Sequence, residues 1–279
     1  MKPKIQLLGI VNLTDDSYYA PSRAASCEAF LERVRQMVAE GADWVDIGAC
    51  STRPGSQPVG AEEEWRRLKP ALEALRKEFP EVGVSIDTYW ASVIERVFDT
   101  IGPFLVNDIS AGAYDPAMLP LVGRLGLPYI AMHLRGIPEN MQTLTYYPDG
   151  VTAEVRRYFR DFGVKAAEAG ISDWILDPGF GFAKTVDQNW TLLQEMEQLS
   201  ALGRPILVGV SRKSMIYRRF GITPEEALPA TQVAHYMALE RGATWLRVHD
   251  VAEARRTVAI FEEMADQVGH DGKKPSFPA

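Results

Sequence analysis

The chain has 279 residues, 46% of them hydrophobic and 24% charged, a composition that excludes a disordered chain, a collagen-like repeat and a disulfide scaffold. Lysine plus arginine total 30 against 37 aspartates and glutamates, and the resulting net charge of −7 lacks the basic footprint of a nucleic-acid binder. Two cysteines, Cys27 and Cys50, give no disulfide framework or structural zinc spacing, no apolar run is long enough for a bilayer, and no signal peptide is read, so a cytoplasmic protein is expected.

Short apolar, β-branched runs recur at residues 5–12, 44–48, 82–87, 105–110, 129–133, 174–177, 206–211 and 245–250. Each predicts a strand buried on both faces, as parallel strands are. Between them apolar residues return at helical spacing. The stripes are Phe30, Val34, Met37 and Val38 before Gly41, then Trp65, Leu68, Leu72 and Leu75, then Val155, Phe159, Phe162 and Ala166 before Gly170. Leu192, Leu193, Met196 and Leu199 precede Gly203, and Val233, Met237 and Ala238 precede Gly242. Eight strands alternating with helices fit an α/β (β/α)₈ TIM barrel, with a doubly wound open sheet as the alternative that periodicity leaves open. No Pro-, Gly- or Ser-rich linker interrupts the interior, so a single domain is expected over residues 1–279, its core at about 5–268 and its tail loose from His270. Two long polar connections, residues 13–25 and 50–60, are expected to be mobile lids.

In α/β proteins chemistry gathers at the carboxyl ends of the strands. Here those ends carry Asn12, Ser51-Thr52-Arg53, Asp87, Asn107-Asp108, His133-Leu134-Arg135, Asp177, Ser211-Arg212-Lys213 and Arg247-Val248-His249-Asp250. Helix capping accounts for any one Asp or Ser, but not for Arg, Lys and His gathered on the same rim. Asp87, Asn107 and Asp177 suit a flat heterocycle that presents several N–H donors. Arg53, Lys213, Arg247 and His249 suit a phosphate or diphosphate. Arg247 and His249 are two apart on a strand and so share a face. The structural alternative makes Arg247 a partner of Asp46 or Asp250. His133 reads equally as a core histidine or a pocket wall, whereas His235 and His270 read as structural. Residues 179–185 lack the glycines of a phosphate loop, Ser211 lacks a nucleophile elbow, and no His-Glu-x-x-His or clustered Cys/His set exists for tightly held zinc.

At these positions the sequence resembles the dihydropteroate synthase family. The resemblance runs through Gly9-Ile-Val-Asn12-Leu-Thr14, Asp46-Ile-Gly48, Ser51-Thr-Arg-Pro-Gly55, Ser85-Ile-Asp-Thr-Tyr89 and Val106-Asn-Asp-Ile-Ser110. It continues with Met132-His-Leu-Arg-Gly136, Met141-Gln142, Asp177-Pro-Gly-Phe-Gly-Phe182, Ser211-Arg-Lys-Ser214 and Arg247-Val-His-Asp-Val251. It implies a TIM barrel that joins the methylene carbon of a dihydropterin diphosphate to the amine of p-aminobenzoate, within a homodimer. On that resemblance Asn12 would help hold Mg²⁺ on the diphosphate, and Thr52 and Arg53 would reach the diphosphate from the second lid. Asp87, Asn107, Asp177 and Lys213 would line the pterin slot, Arg247 and His249 would bind the diphosphate, and Pro54, Phe182 and Ser214 would border p-aminobenzoate. Arg53, Lys213, Arg247 and His249 are the expected catalytic set.

The implied reaction is dissociative: departure of diphosphate leaves a cation spread into the pterin ring, and the lids exclude the water that would capture it. Three positions depart from the family pattern: Asp15 and Tyr18 in the first lid, Ala49-Cys50 before Ser51, and Ala183 before Lys184. Two other readings share the ring slot. A methyltetrahydrofolate–corrinoid methyltransferase-like domain would not need Ser211-Arg-Lys213 joined to Arg247-Val-His249. A catalytically silent barrel would not need the cations intact.

Overall fold

The computed structural model describes residues 4–13, 23–50, 59–137 and 140–271. Eight strands are all parallel: β1 (Gln6–Asn12), β2 (Trp44–Gly48), β3 (Gly83–Asp87), β4 (Leu105–Asp108), β5 (Tyr129–Met132), β6 (Trp174–Asp177), β7 (Leu207–Val208) and β8 (Trp245–Val248). Their order is β6-β5-β4-β3-β2-β1-β8-β7, and a single bridge between Leu176 and Ile206 closes the ends into a barrel. The (β/α)₈ expectation therefore holds and the open sheet does not.

Helices return the chain outside the barrel: α1 (Arg23–Ala39), α2 (Ala61–Glu78), α3 (Ala91–Ile101), α4 (Met118–Leu125), α5 (Val151–Glu168), α6 (Val186–Gln194), α7 (Ser214–Phe220), α8 (Leu228–Glu240) and α9 (Val251–Asp271). Two 3₁₀ segments, Met141–Thr143 and Met196–Leu202, complete the connections. The start of α6 follows from its sequence: Thr185 accepts from the Gln188 amide while the Gln188 side chain accepts from the Thr185 amide, a reciprocal capping box.

Strand alternation splits the core in two. Side chains on one face of each strand, such as Leu7, Val45, Ile47, Val84, Ile86, Val106, Leu176 and Leu246, pack with the helices. Those on the other face fill the barrel. There Leu8, Leu105, Ile130, Ile175 and Leu207, with Trp44 and Trp245 against them, form a separate apolar layer. Two residues further along the same strands, this inner face turns polar: Asn107 follows Leu105, Asp177 follows Ile175, Arg247 follows Trp245 and Asp46 follows Trp44. The lower layer is the plug on which the polar layer rests.

Several sequence expectations are corrected. β4, β5, β7 and β8 stop before the predicted ends. At β7 the cause is visible: Lys213 N bonds back to Val210 O and Arg212 takes φ 53°, so the chain turns where a strand to residue 211 was expected. Val38 is not part of the buried stripe of α1, being 38% exposed. On α8 Val233 faces outward at 62% exposure, and the buried face is Thr231, Ala234, His235, Ala238 and Leu239. Of the expected stripe, Ala238 is buried and Met237 packs against the core, so Val233 alone was misplaced. Both expected lids fall largely on residues 14–22 and 51–58, which lie outside the described residues, as do Asp15, Tyr18, Thr52, Arg53, Pro54 and the tail beyond Asp271.

Candidate active site

The centre of the polar layer is Asp46, fully buried in the middle of β2. It accepts from Ser85 Oγ at 2.7 Å, from Asn107 Nδ2 at 3.1 and 3.3 Å, and from Arg247 Nε at 2.6 Å. Arg247 Nη2 also donates to Asp87 Oδ2 at 2.7 Å. One guanidinium therefore bridges two carboxylates on neighbouring strands. Gly48 lies beside them, where a Cβ would sit in ordinary contact, 3.5 Å from both Asn12 Oδ1 and the Asp87 Cβ.

Asp177 ends β6, and its Oδ1 accepts from Gly179 N at 2.8 Å. Lys213 precedes α7 and donates from Nζ to Phe180 O at 2.7 Å, lying 4.9 Å above the Phe182 ring. Ser214 opens α7 beside it. His249 lies just past β8, where both its amide and its Nδ1 meet Ser211 Oγ, at 3.2 and 3.1 Å. Asn12 is exposed at the end of β1, and its carboxamide has no hydrogen-bond partner among the described residues.

Burial sets the charges here. It raises Asp87 to about 7, with Arg247 opposing and the carboxylates of Asp46, Asp108 and Asp177 adding to the rise. Asp177 is raised for the same first reason, against Lys213. Burial lowers Lys213 to about 8 although Asp177 attracts its proton. His249 falls to about 4 through burial and then the nearby Arg247, so it is a neutral imidazole at pH 7. Arg247 stays cationic: burial opposes its charge, but Asp46 and Asp87 more than offset it.

The structure thus gathers Asp87, Asn107, Asp177, Lys213 and Arg247 at one mouth, with Phe182, Ser214, Asn12 and His249 around it. Arg247 and His249 do not act as a matched pair. Arg247 is committed inward to Asp46 and Asp87, with Nη1 the nitrogen that has no partner among the described residues, whereas His249 is tied to Ser211. Asp46 is the partner that the structural alternative named; Asp250 instead holds Arg212 bidentately at 2.8 and 2.9 Å.

His133 also resolves. It is fully buried against Tyr158, with Nδ1 2.9 Å from Lys184 Nζ, and it supports the loop rather than lining the slot. Lys184 also donates to Gly179 O and Phe182 O, strapping the β6–α6 turn. Sequence reasoning missed this strap and the apolar rim of Tyr89, Ile109 and Met132, which gathers Phe182 and Leu134. Among the departures from the family pattern, Ala183 is buried at φ 51°, a conformation that glycine adopts without strain. Cys50 Sγ lies 4.0 Å from Tyr89 OH, and burial pushes its thiol pKa up.

The model of the family described as pterin binding enzyme matches residues 8–249, the span that contains Asn12, Asp46, Asp87, Asn107, Asp177, Lys213, Arg247 and His249. The chain belongs to the dihydropteroate synthase family. It is 37% identical over 258 residues to the dihydropteroate synthase of Escherichia coli K12, covering 92% of this chain and 90% of that one. Among solved structures, the Yersinia pestis dihydropteroate synthase in a sulfonamide drug complex superposes with a TM-score of 0.86 at 34% identity, over 95% of each chain. The Xanthomonas albilineans dihydropteroate synthase with 4-aminobenzoic acid gives 0.84 at 35% identity, over 94% of this chain and 93% of that one. Membership makes the protein a transferase of folate biosynthesis. No described helix is long and apolar enough to cross a membrane.

Proposed function

We propose that the chain condenses 6-hydroxymethyl-7,8-dihydropterin diphosphate with p-aminobenzoate, giving 7,8-dihydropteroate and diphosphate. The observation that carries this reading is the polar layer over the apolar plug. Asp87, Asn107 and Asp177 turn acceptors into one slot, and Lys213 and Arg247 hold positive charge at its edge. The acceptors hold the donor-rich edge of the ring and tolerate the positive character it gains as the methylene carbon loses diphosphate. Arg247 Nη1 and the N–H of neutral His249 serve the leaving group, and Lys213 serves the ring edge; the resemblance adds Thr52 and Arg53, which lie outside the described residues, to the diphosphate. The Phe182 ring beside Lys213, with Ser214, borders the amine nucleophile; the resemblance adds Pro54, which lies outside the described residues.

The residues present fit a loosely held Mg²⁺. The Asn12 carboxamide, without a hydrogen-bond partner among the described residues, offers one neutral oxygen, and among those residues no group of three or more His, Cys, Asp or Glu side chains is arranged to hold a metal ion. That donor set suits a hard ion whose other ligands are phosphate oxygens and water. When bound, the ion neutralises charge on the diphosphate. The reading includes a cytoplasmic homodimer.

Incubation of the purified chain with the dihydropterin diphosphate, p-aminobenzoate and Mg²⁺, with product detected by mass, tests the proposal; absence of dihydropteroate overturns it. Activity is expected to vanish with EDTA and return on adding Mg²⁺. Activity that survives complete chelation would remove the ion from the scheme.

A further inference from the structure

Asp46 accepts four hydrogen bonds from three other strands and has no place in the expected site. It accepts from β3 through Ser85, from β4 through Asn107 and from β8 through Arg247. A carboxylate facing a carboxamide can only accept, so the Asn107 nitrogen must turn toward Asp46. Asn107 Oδ1 is then directed away from Asp46, and it has no hydrogen-bond partner among the described residues. Asn107 is also the register partner of Asp87, whose carboxylate accepts from Arg247.

We infer that Asp46 is a positioning residue that fixes the hydrogen-bond polarity of the slot: by holding the Asn107 nitrogen, it makes the slot-facing atom an acceptor. Asn107 then joins Asp87 and Asp177 as a third acceptor, and the slot selects a ring rich in N–H donors over a ring of the same shape that offers carbonyls. The inference rests on the ring reading above. An amide without a fixed partner can present either end, and a slot that presents either end cannot discriminate.

Calorimetry with two probes tests this: 6-hydroxymethylpterin and its 2-oxo counterpart 6-hydroxymethyllumazine, in which a carbonyl replaces the exocyclic amine. The native chain is expected to prefer the pterin. Asp46→Asn gives the Asn107 amide a neighbour that can donate as well as accept, and the preference should shrink by about tenfold. An equal loss of affinity for both rings, or an unchanged preference, would overturn the inference.

If Asp46→Asn lowers the melting temperature so far that no ring can be measured, Asn107→Asp decides. It keeps an oxygen toward the slot, with a shared proton between residues 46 and 107. The inference expects the pterin preference to survive; its loss would mean that the amide nitrogen faced the ring. Failure of the native chain to bind either ring overturns the function reading itself, and the inference with it.

Discussion

Arg247 sits between Asp46 and Asp87 at 2.6 and 2.7 Å, and that position determines what its removal costs. A pure anion clamp, once truncated, would cost affinity for the diphosphate alone. Here Arg247→Ala also leaves two carboxylates on adjacent strands with their shared cation gone. Breaking a buried pair costs about 3–5 kcal/mol, and the partial exposure of the guanidinium lowers this to about 2–4 kcal/mol. The variant is expected to melt lower and to lose affinity for both 6-hydroxymethylpterin and the diphosphate substrate. A thermal melt and two titrations check it, and a loss confined to the diphosphate would restore the clamp.

The same neighbourhood sets a pH profile. Asp87 needs its charge to accept from the ring, so ring affinity should rise as pH climbs through about 7. Lys213 loses its proton above about 8, so its charge-assisted hold on the ring edge should fall there. The two limbs give a bell-shaped kcat/KM between them. Lys213→Arg should push the alkaline limb upward, and an unmoved limb would assign it elsewhere. For stability the sign is opposite to that for binding: a carboxylate raised in the folded state favours folding at low pH, and this contribution is lost as pH rises from its ordinary value near about 4 toward 7.

Among elements, the β6–α6 turn is the most constrained connection described. It contains positive φ at Gly179, Gly181 and Ala183, and its carbonyls are held by Lys184 and Lys213. Lys184→Met keeps the stem and removes the donor, stranding the Phe182 carbonyl and His133 Nδ1, while Gly179 O keeps the Phe182 amide. Each unsatisfied buried group costs about 1–3 kcal/mol, so the melting temperature should drop clearly. Because the turn carries Asp177 and Phe182, pterin affinity should drop with it. A variant that melts lower but binds pterin at native strength would show the strap to be structural only.

How much of this the sequence revealed depended on the kind of signal. The strands themselves were legible because polar residues interrupt each apolar run, although β4, β5, β7 and β8 end before those runs do. The outward place of Val233 on α8 was not, because Val233 and Ala234 are both apolar and only packing chooses between them. Asp46 was named in a family segment and as an alternative partner for Arg247 but given no role in the slot, because it stands inside an apolar strand and its importance comes from three strands that meet it in space. The signal was nonetheless present: Trp44, Asp46 and Gly48 alternate on the same face as Ser85 and Asp87. The Lys184–His133 strap joins residues 51 apart and had no local signature at all.

Across the whole molecule, β6 and β7 meet through a single bridge, whereas the other neighbouring strands pair over two to five residues. Asp177 belongs to one side of that junction and Lys213 to the other. The wall between them is therefore the barrel's softest, since opening it sacrifices the fewest backbone bonds. A ring contacting both residues would act as a clasp, joining two edges that the backbone itself barely fastens. Deuterium uptake should register this: the amide of Leu176, which bonds across the junction to Pro205 O, should exchange ahead of those in β2 in the free protein, and bound pterin should slow it more than any amide in β1–β3. Substrate binding would then be the last step in closing the barrel.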